Sequence, residues 1–304
     1  MVLVSGLSYH FQLYDFGIKM KLYYANKTRS YVPFANFGDD LNGWLWPKLL
    51  PGVFNDSASE AAFVGFGTLL NENLPKFKQT IIFGTGHGFG NLPQIDDTWT
   101  IYCVRGPLTA AALNISPALG IADTAILVNR VYRPTDTKKK YKLAFIPYAW
   151  EMESSPEIFL EVCQQLDYIC IDPRWEVEKV LQEISKSELV VSAAMHGAIV
   201  ADALRVPWIS LKSNAGIPDF KWTDFCQSLS LEYKVNRFYR FNSISQKIPG
   251  LKFIEIKRMV SYIRQLVNKA QFQLSKDHIM ENKLDQLDEK LDFFKQDLKA
   301  GKFK

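Results

Sequence analysis

Apolar residues run in short bursts separated by glycine, proline and polar turns, and the spacing inside the bursts alternates between strand-like and helix-like. Residues 21–25 predict a first short strand, and 61–65, 80–83 and 100–104 predict three more. A helix is predicted over 41–50, with Asp39 or Asp40 as its cap. Another follows the break Arg105-Gly106-Pro107, with the proline in its first turn, where the backbone N–H has no helical partner anyway. Strands and helices alternating at such short intervals predict a parallel α/β sheet.

The stretch 133–142 is polar and has no apolar period, so it is the expected linker. Beyond it the pattern restarts. KLAFIPY, YICIDP, ELVVSA and PWISLK read as strands, with PEIFLEVCQQL, VEKVLQEISKS and GAIVADALR as the helices between them. The expectation is an α/β chain of two Rossmann-like domains, 20–132 and 141–230, with a ligand cleft between the carboxyl ends of their sheets. A C-terminal helical segment, 250–300, follows. There Leu284, Leu287, Leu291, Phe294 and Leu298 repeat at steps of three and four, a short seam of coiled-coil type. It reads as a helix packing back on the body, with a homodimer contact or a membrane-surface helix as the alternatives.

Composition narrows this little. The 304 residues leave room for two domains of roughly 100–150 residues each. With 47% hydrophobic and 22% charged residues the chain can build a real core. A net charge of +4 is too weak for a nucleic-acid coat and suits anionic small molecules or an anionic membrane surface. The high aromatic share, 13%, reads as core packing, with sugar-stacking platforms as the alternative. Cys103, Cys163, Cys170 and Cys226 show no metal spacing and read as buried thiols of a reducing compartment. Residues 1–19 read as an extension before Met20 and lack the basic-then-apolar order of a signal peptide. No run approaches the ~18–20 apolar residues of a membrane span, so the expected location is cytoplasmic.

Chemistry-bearing residues gather at the predicted strand ends. Gly38, Asp39 and Asp40 lie in a loop opening a helix; once one carboxylate caps, the other is available as a base. In the glycine-rich loop 84–90, Gly86 and Gly88 let backbone approach a ligand closely, with His87 between them. The loop runs into Asn-Leu-Pro rather than a helix, so it is no dinucleotide fingerprint. Arg105 at a strand end can fork onto a carboxylate or phosphate, or form a plain surface salt bridge. Asp123 either caps a helix or faces the same ligand. Ser192 to Gly197 passes from strand to helix, and His196 sits at the break. There amide donors and the helix dipole favour an anion, and an imidazole can bond a phosphate. Lys212 adds positive charge nearby. No metal-ligand cluster is visible.

In their order and spacing, NFGDDLN, FGTGHGFG, VRGPLTAAAL, ADTAIL and SAAMHGAIVADALRVPWISL resemble the polysaccharide pyruvyl transferase family, in its exopolysaccharide, succinoglycan pyruvyltransferase-like branch. The resemblance spans roughly residues 22–211. It implies two facing domains of GT-B type and an enzyme with no cofactor that takes phosphoenolpyruvate as co-substrate. The product is a pyruvate ketal on a sugar of a bacterial polysaccharide or of its lipid-linked repeat unit, made at the inner face of the plasma membrane. By the same resemblance His196 carries over as a site residue. The chemistry of the donor leads to the expectation that it contacts phosphate and acts as general acid, and that Asp40 or His87, on the facing domain, orients or deprotonates the acceptor hydroxyl. Ala194 stands where many members carry an arginine, so Arg105 or Lys212 is expected to supply the missing charge. Two other readings fit the same fold: a glycosyltransferase using a nucleotide sugar, and a carbohydrate-binding homologue without catalysis.

Overall fold

A computed structural model describes residues 19–25, 34–58, 60–136, 138–213, 215–238, 240, 248, 250–269 and 272–303. The expected extension before Met20 lies outside these apart from Lys19. Two separate four-stranded sheets, both parallel throughout, form the frame. The first holds β1 (Lys21–Tyr23), β2 (Ala61–Val64), β3 (Gln79–Phe83) and β4 (Trp99–Cys103), side by side in chain order. The second holds β5 (Ala144–Ile146), β6 (Ile169–Cys170), β7 (Val190–Ser192) and β8 (Trp208–Ser210), in the order β6-β5-β7-β8. Strands β2, β5, β7 and β8 are buried along their whole length, which is why they read as continuous apolar runs rather than alternating ones.

Helices α1 (Phe37–Leu49), α2 (Pro107–Ala112) and α3 (Val128–Val131) accompany the first sheet, with 3-10 turns at Pro117–Leu119 and Thr124–Leu127. Helices α4 (Ala149–Ser154), α5 (Pro156–Leu166), α6 (Val177–Ser185), α7 (Met195–Ala203) and α8 (Asp219–Ser228) accompany the second. Among the described residues between α3 and β5 there is no helix or strand, only an isolated bridge at Tyr141. The second sheet reverses its order at β5 and β7, so the crevice between their carboxyl ends is its topological switch point.

The helix expected over 41–50 starts four residues earlier, at Phe37. Asn36 takes the N-cap position, and Asp39 and Asp40 both fall inside the first turn. Acidic residues are stable there against the helix dipole, so a sequence that looks like a cap can equally well be the turn after one.

The chain ends in α9 (Leu251–Asn268), packed on α5, and α10 (Asp277–Lys299), which returns to the first sheet. Every position of the predicted seam in α10 is buried inside this chain. Phe294 meets Phe63 and Tyr102 with ring centroids 5.3 and 5.4 Å apart. Arg130 fastens the helix by ion pairs to Glu281 (2.9 Å), Asp285 (3.0 Å) and Asp288 (2.8 Å). One apolar cluster runs through both halves, joining Phe37, Leu41 and Ile126 to Ile146, Met195 and Ile199. All four cysteines are buried and free. Among the described residues no helix is long and apolar enough to cross a membrane.

Candidate active site

At the end of β7 the Ser192 hydroxyl donates to Ala194 O at 2.6 Å and closes the turn into α7. Gly197 lets that helix lie against the sheet: a Cβ there would come within 2.9 Å of Ile146 Cδ1 and 2.5 Å of Ser192 Oγ. Ala194, in the N-cap position, supplies no side-chain cap. His196, second residue of α7, is thereby held against the other half of the molecule. Its ring stands edge-on to Phe66 at 5.5 Å, and its Nδ1 occupies the space a Cβ on Gly38 would need. The absent side chain at Gly38, in the first turn of α1, is what lets the imidazole in.

Across the same gap lies Asp123, fully buried. Its Oδ1 accepts from the Ala125 N–H at 3.0 Å and caps the 3-10 turn, as the capping reading expected. Its Oδ2 points at His196 Nε2 from 3.8 Å, too far for a hydrogen bond, and neither atom has a partner. Burial dominates both groups. It pushes the Asp123 carboxyl up to about 7, against the pull of the Ala125 N–H and Arg105. It pushes the imidazole down to about 3, helped by the positive charges of Lys221 and Arg105. The ring keeps only 12% of its side-chain surface in contact with solvent. At neutral pH, then, His196 is unprotonated in this state, and Asp123 is the member of the pair that holds a proton part of the time.

Asp39 and Asp40 divide their work. Asp40 Oδ2 accepts from the Asn36 backbone N–H at 3.0 Å, tying the helix start together. Asp39 Oδ2 accepts from Asn36 Nδ2 at 2.6 Å. Burial, reinforced by the Asp40 charge, raises Asp39 to about 7, while Asn36 and Lys221 pull it down. Tyr148, just past the end of β5, feels the Asp39 charge, so this carboxyl faces the switch point of the second sheet.

The cations differ from expectation. Arg105 is fully buried and pairs with Asp224 of α8, Nε to Oδ2 at 3.0 Å. Its remaining contacts go to Thr68 Oγ1 and to the carbonyls of Gly67 and His87. Asp224 also caps α2, accepting from Leu108 N, Thr109 N and Thr109 Oγ1. Arg105 therefore locks the strand end to α8 in this structure. Lys212 pairs with Asp219 at 2.6 Å. His87 bonds Leu70 O through Nδ1 at 2.8 Å and lies edge-on to Phe220 of α8. Gly86 leaves room for the Arg105 guanidinium, and a Cβ on Gly88 would come within 2.9 Å of Thr68 Cγ2.

Lys221 and Tyr148 were not among the residues expected here. Lys221, on α8, is buried, and its Nζ lies 5.3 Å from the Phe89 ring centre in the glycine-rich loop. Burial, with Arg105 beside it, lowers its amine to about 8, and Asp39 partly offsets this. The one signal in sequence is a lysine set between two aromatics, Phe220 and Trp222, where a solvated lysine is out of place.

Two parallel sheets thus deliver an unpartnered acid–base couple, a second near-neutral carboxyl and a buried cation to one junction, the makings of a group-transfer enzyme built without a metal-ligand cluster among the described residues. The polysaccharide pyruvyl transferase profile matches residues 36–214. The succinoglycan biosynthesis protein ExoV of Rhizobium meliloti (strain 1021) is 40% identical over 237 residues, covering 77% of this chain and 72% of that protein. The chain belongs to the polysaccharide pyruvyl transferase family. Among solved structures, the C-terminus of E. coli RcsC overlaps 84% of this chain and 95% of its own at 12% identity, but a TM-score of 0.24 carries no argument about fold.

Proposed function

We propose that the protein transfers a pyruvyl group from phosphoenolpyruvate to two hydroxyls of a sugar, forming a ketal during polysaccharide biosynthesis. Family membership supports the pyruvyl transfer. The observation that carries the chemistry is the unpartnered pair, Asp123 Oδ2 and His196 Nε2, held 3.8 Å apart at the junction. The two halves act as facing lobes of GT-B type, with the acceptor on the side of α1 and the donor over α7.

In this reading the dianionic donor settles by the start of α7, and its charge raises the imidazole's proton affinity. Asp123 or solvent supplies a proton to His196, which passes it to C3 of the enol. C2 becomes oxocarbenium-like, and the first sugar hydroxyl forms a C–O bond there while losing its proton to Asp39. The second hydroxyl forms the other C–O bond as the C2–O bond to phosphate breaks, and its proton leaves with the phosphate. Asp39, rather than Asp40 or His87, is the base, because a carboxyl titrating near 7 is matched to proton transfer at neutral pH. The acceptor is a polysaccharide sugar or its lipid-linked repeat unit at the inner face of the plasma membrane, which the exposed cationic face of α9 contacts.

The test is to incubate protein, phosphoenolpyruvate and acceptor oligosaccharide, following phosphate release and the new ketal methyl by proton NMR. Acceptor-dependent release that falls about 10²–10⁴-fold in His196→Ala is expected. No release with phosphoenolpyruvate, alongside thermal stabilisation by a nucleotide sugar, would replace this reading with glycosyl transfer.

A further inference from the structure

Three cations are buried among the described residues: Arg105, Lys212 and Lys221. The first pairs with Asp224 and the second with Asp219. Lys221 is only 8% exposed and has no ion pair or hydrogen bond among the described residues. Taking an ammonium group out of water is costly unless something of opposite charge meets it. Its own helix offers no relief, because Asp219 is engaged by Lys212 and Arg237, and Asp224 by Arg105 and the start of α2.

The amine lies beside the glycine-rich loop, 5.3 Å from the Phe89 ring centre, close enough to the junction for its charge to be felt there. Its electric influence reaches His196 on one side and Asp39 on the other. The stem packs beneath the glycine-rich loop, where a Cβ on Gly88 would touch Lys221 Cβ at 3.4 Å. Two more polar atoms at this junction, Asp123 Oδ2 and His196 Nε2, are buried and unpartnered. A largely buried cation, met only by the Phe89 ring, stands near two orphaned polar atoms; the orphans mark room for a small ligand and the ammonium charge selects an anionic one.

We propose that Lys221 is the residue that grips the anionic end of the donor, a phosphorylated organic acid, in the role sequence reading had given to Arg105 or Lys212. The assignment rests on the pyruvyl-transfer reading for the donor's identity, but not for the anion site itself. A lysine presents a point charge able to follow a leaving phosphate, where a guanidinium would fix one planar geometry.

Binding of phosphoenolpyruvate, inorganic phosphate and pyruvate to the full chain is measured by calorimetry for wild type, Lys221→Met and Lys221→Arg. Loss of one charge-assisted contact is expected to weaken phosphoenolpyruvate about 10–100-fold in Lys221→Met, with partial recovery in Lys221→Arg. A parallel loss for phosphate but not pyruvate puts the amine at the phosphate end, and the reverse puts it at the carboxylate. In turnover KM should rise far more than kcat falls. The charged groups acting on the amine are Asp39 of α1 and Arg105 after β4, and with its pKa near 8 wild-type binding should fade above that pH and persist higher in Lys221→Arg. Burial without a partner also means that Lys221→Met should melt no lower than wild type; Lys221→Gln replaces it if the methionine variant fails to fold. Equal affinity of wild type and Lys221→Met for both phosphoenolpyruvate and phosphate overturns the assignment. If wild type binds phosphate in a Lys221-dependent way but ignores phosphoenolpyruvate, the anion site stands and the donor reading falls.

Discussion

Asp123 carries a sharp conflict between charge and surroundings. One of its oxygens caps a turn and the other has nothing to bond, so ionisation is opposed by burial. Its pKa rises from the usual carboxylate value of 3.8 to about 7, so between those values the folded chain holds a proton that the unfolded chain has released. Stability therefore falls as pH climbs through that window and levels off above it. Asp123→Asn keeps the capping oxygen and removes the charge. It should be more stable than wild type by about 1–3 kcal/mol at pH 8, with a smaller gain at pH 5, in urea titrations. A gain independent of pH would show that the carboxyl is not the source. Asp39, raised for the same reason, keeps its own slope in both proteins. At this scale the sequence was legible where backbone sets the place: His196, Gly38, Asp123, Ser192 and Gly197 all stand at strand ends or helix starts. It was not legible for Arg105 and Lys212. Whether a cation meets a carboxylate from the same chain depends on Asp224 and Asp219, which tertiary packing brings in from a helix with no motif.

Among the elements, α10 shows how far a hydrophobic period reaches and where it stops. The steps of three and four correctly marked one buried stripe, because residues so spaced share a helix face. The period could not name the surface that covers it. Aromatic residues of β2, β3 and β4, distant in sequence, fill that role inside the chain, and the dimer alternative for the seam is left without a free stripe. Phe294 is the centre of the contact, fully buried among Phe63, Phe83, Tyr102 and Phe303. Phe294→Ala should cost about 3–5 kcal/mol of stability, because the rigid β-sheet wall cannot collapse into the space. A shift of the urea midpoint worth less than about 1 kcal/mol would mean that α10 is peripheral to the fold. The helix over 41–50 was legible in existence and not in start, since Asp39 and Asp40 suit both the cap and the first turn, and packing of Phe37 into the core decides between them.

Charge across the whole molecule is uneven in a way the net value hides. The chain sums to +4, yet on α9 and its cap Lys252, Lys257, Arg258, Arg264 and Lys269 are all exposed. The helix's one acidic residue, Glu255, is buried against Arg240. Phe253 and Ile254 are 55% and 48% exposed at the start of the same helix. On the neighbouring α5, Glu157 offsets only the first of these lysines, by a loose pair at 3.5 Å. A mainly cationic face, with Glu157 and Glu161 of α5 beside Lys252 at one end and apolar side chains at its tip, complements an anionic bilayer, where each cation contributes about 1 kcal/mol and the apolar tips enter the headgroup region. The full chain should therefore float with vesicles containing anionic phospholipid and stay behind with purely zwitterionic ones. Replacing Lys257, Arg264 and Lys269 by glutamine should weaken that binding roughly a hundredfold. Salt well above physiological strength should release the wild type, since the screening length shrinks below the reach of the face. None of these residues touches the junction between the sheets, so phosphate release from a water-soluble acceptor should be unaffected by the same changes. Binding that ignores lipid charge, or that survives the triple substitution, would remove α9 as the contact and leave the acceptor to be reached from solution.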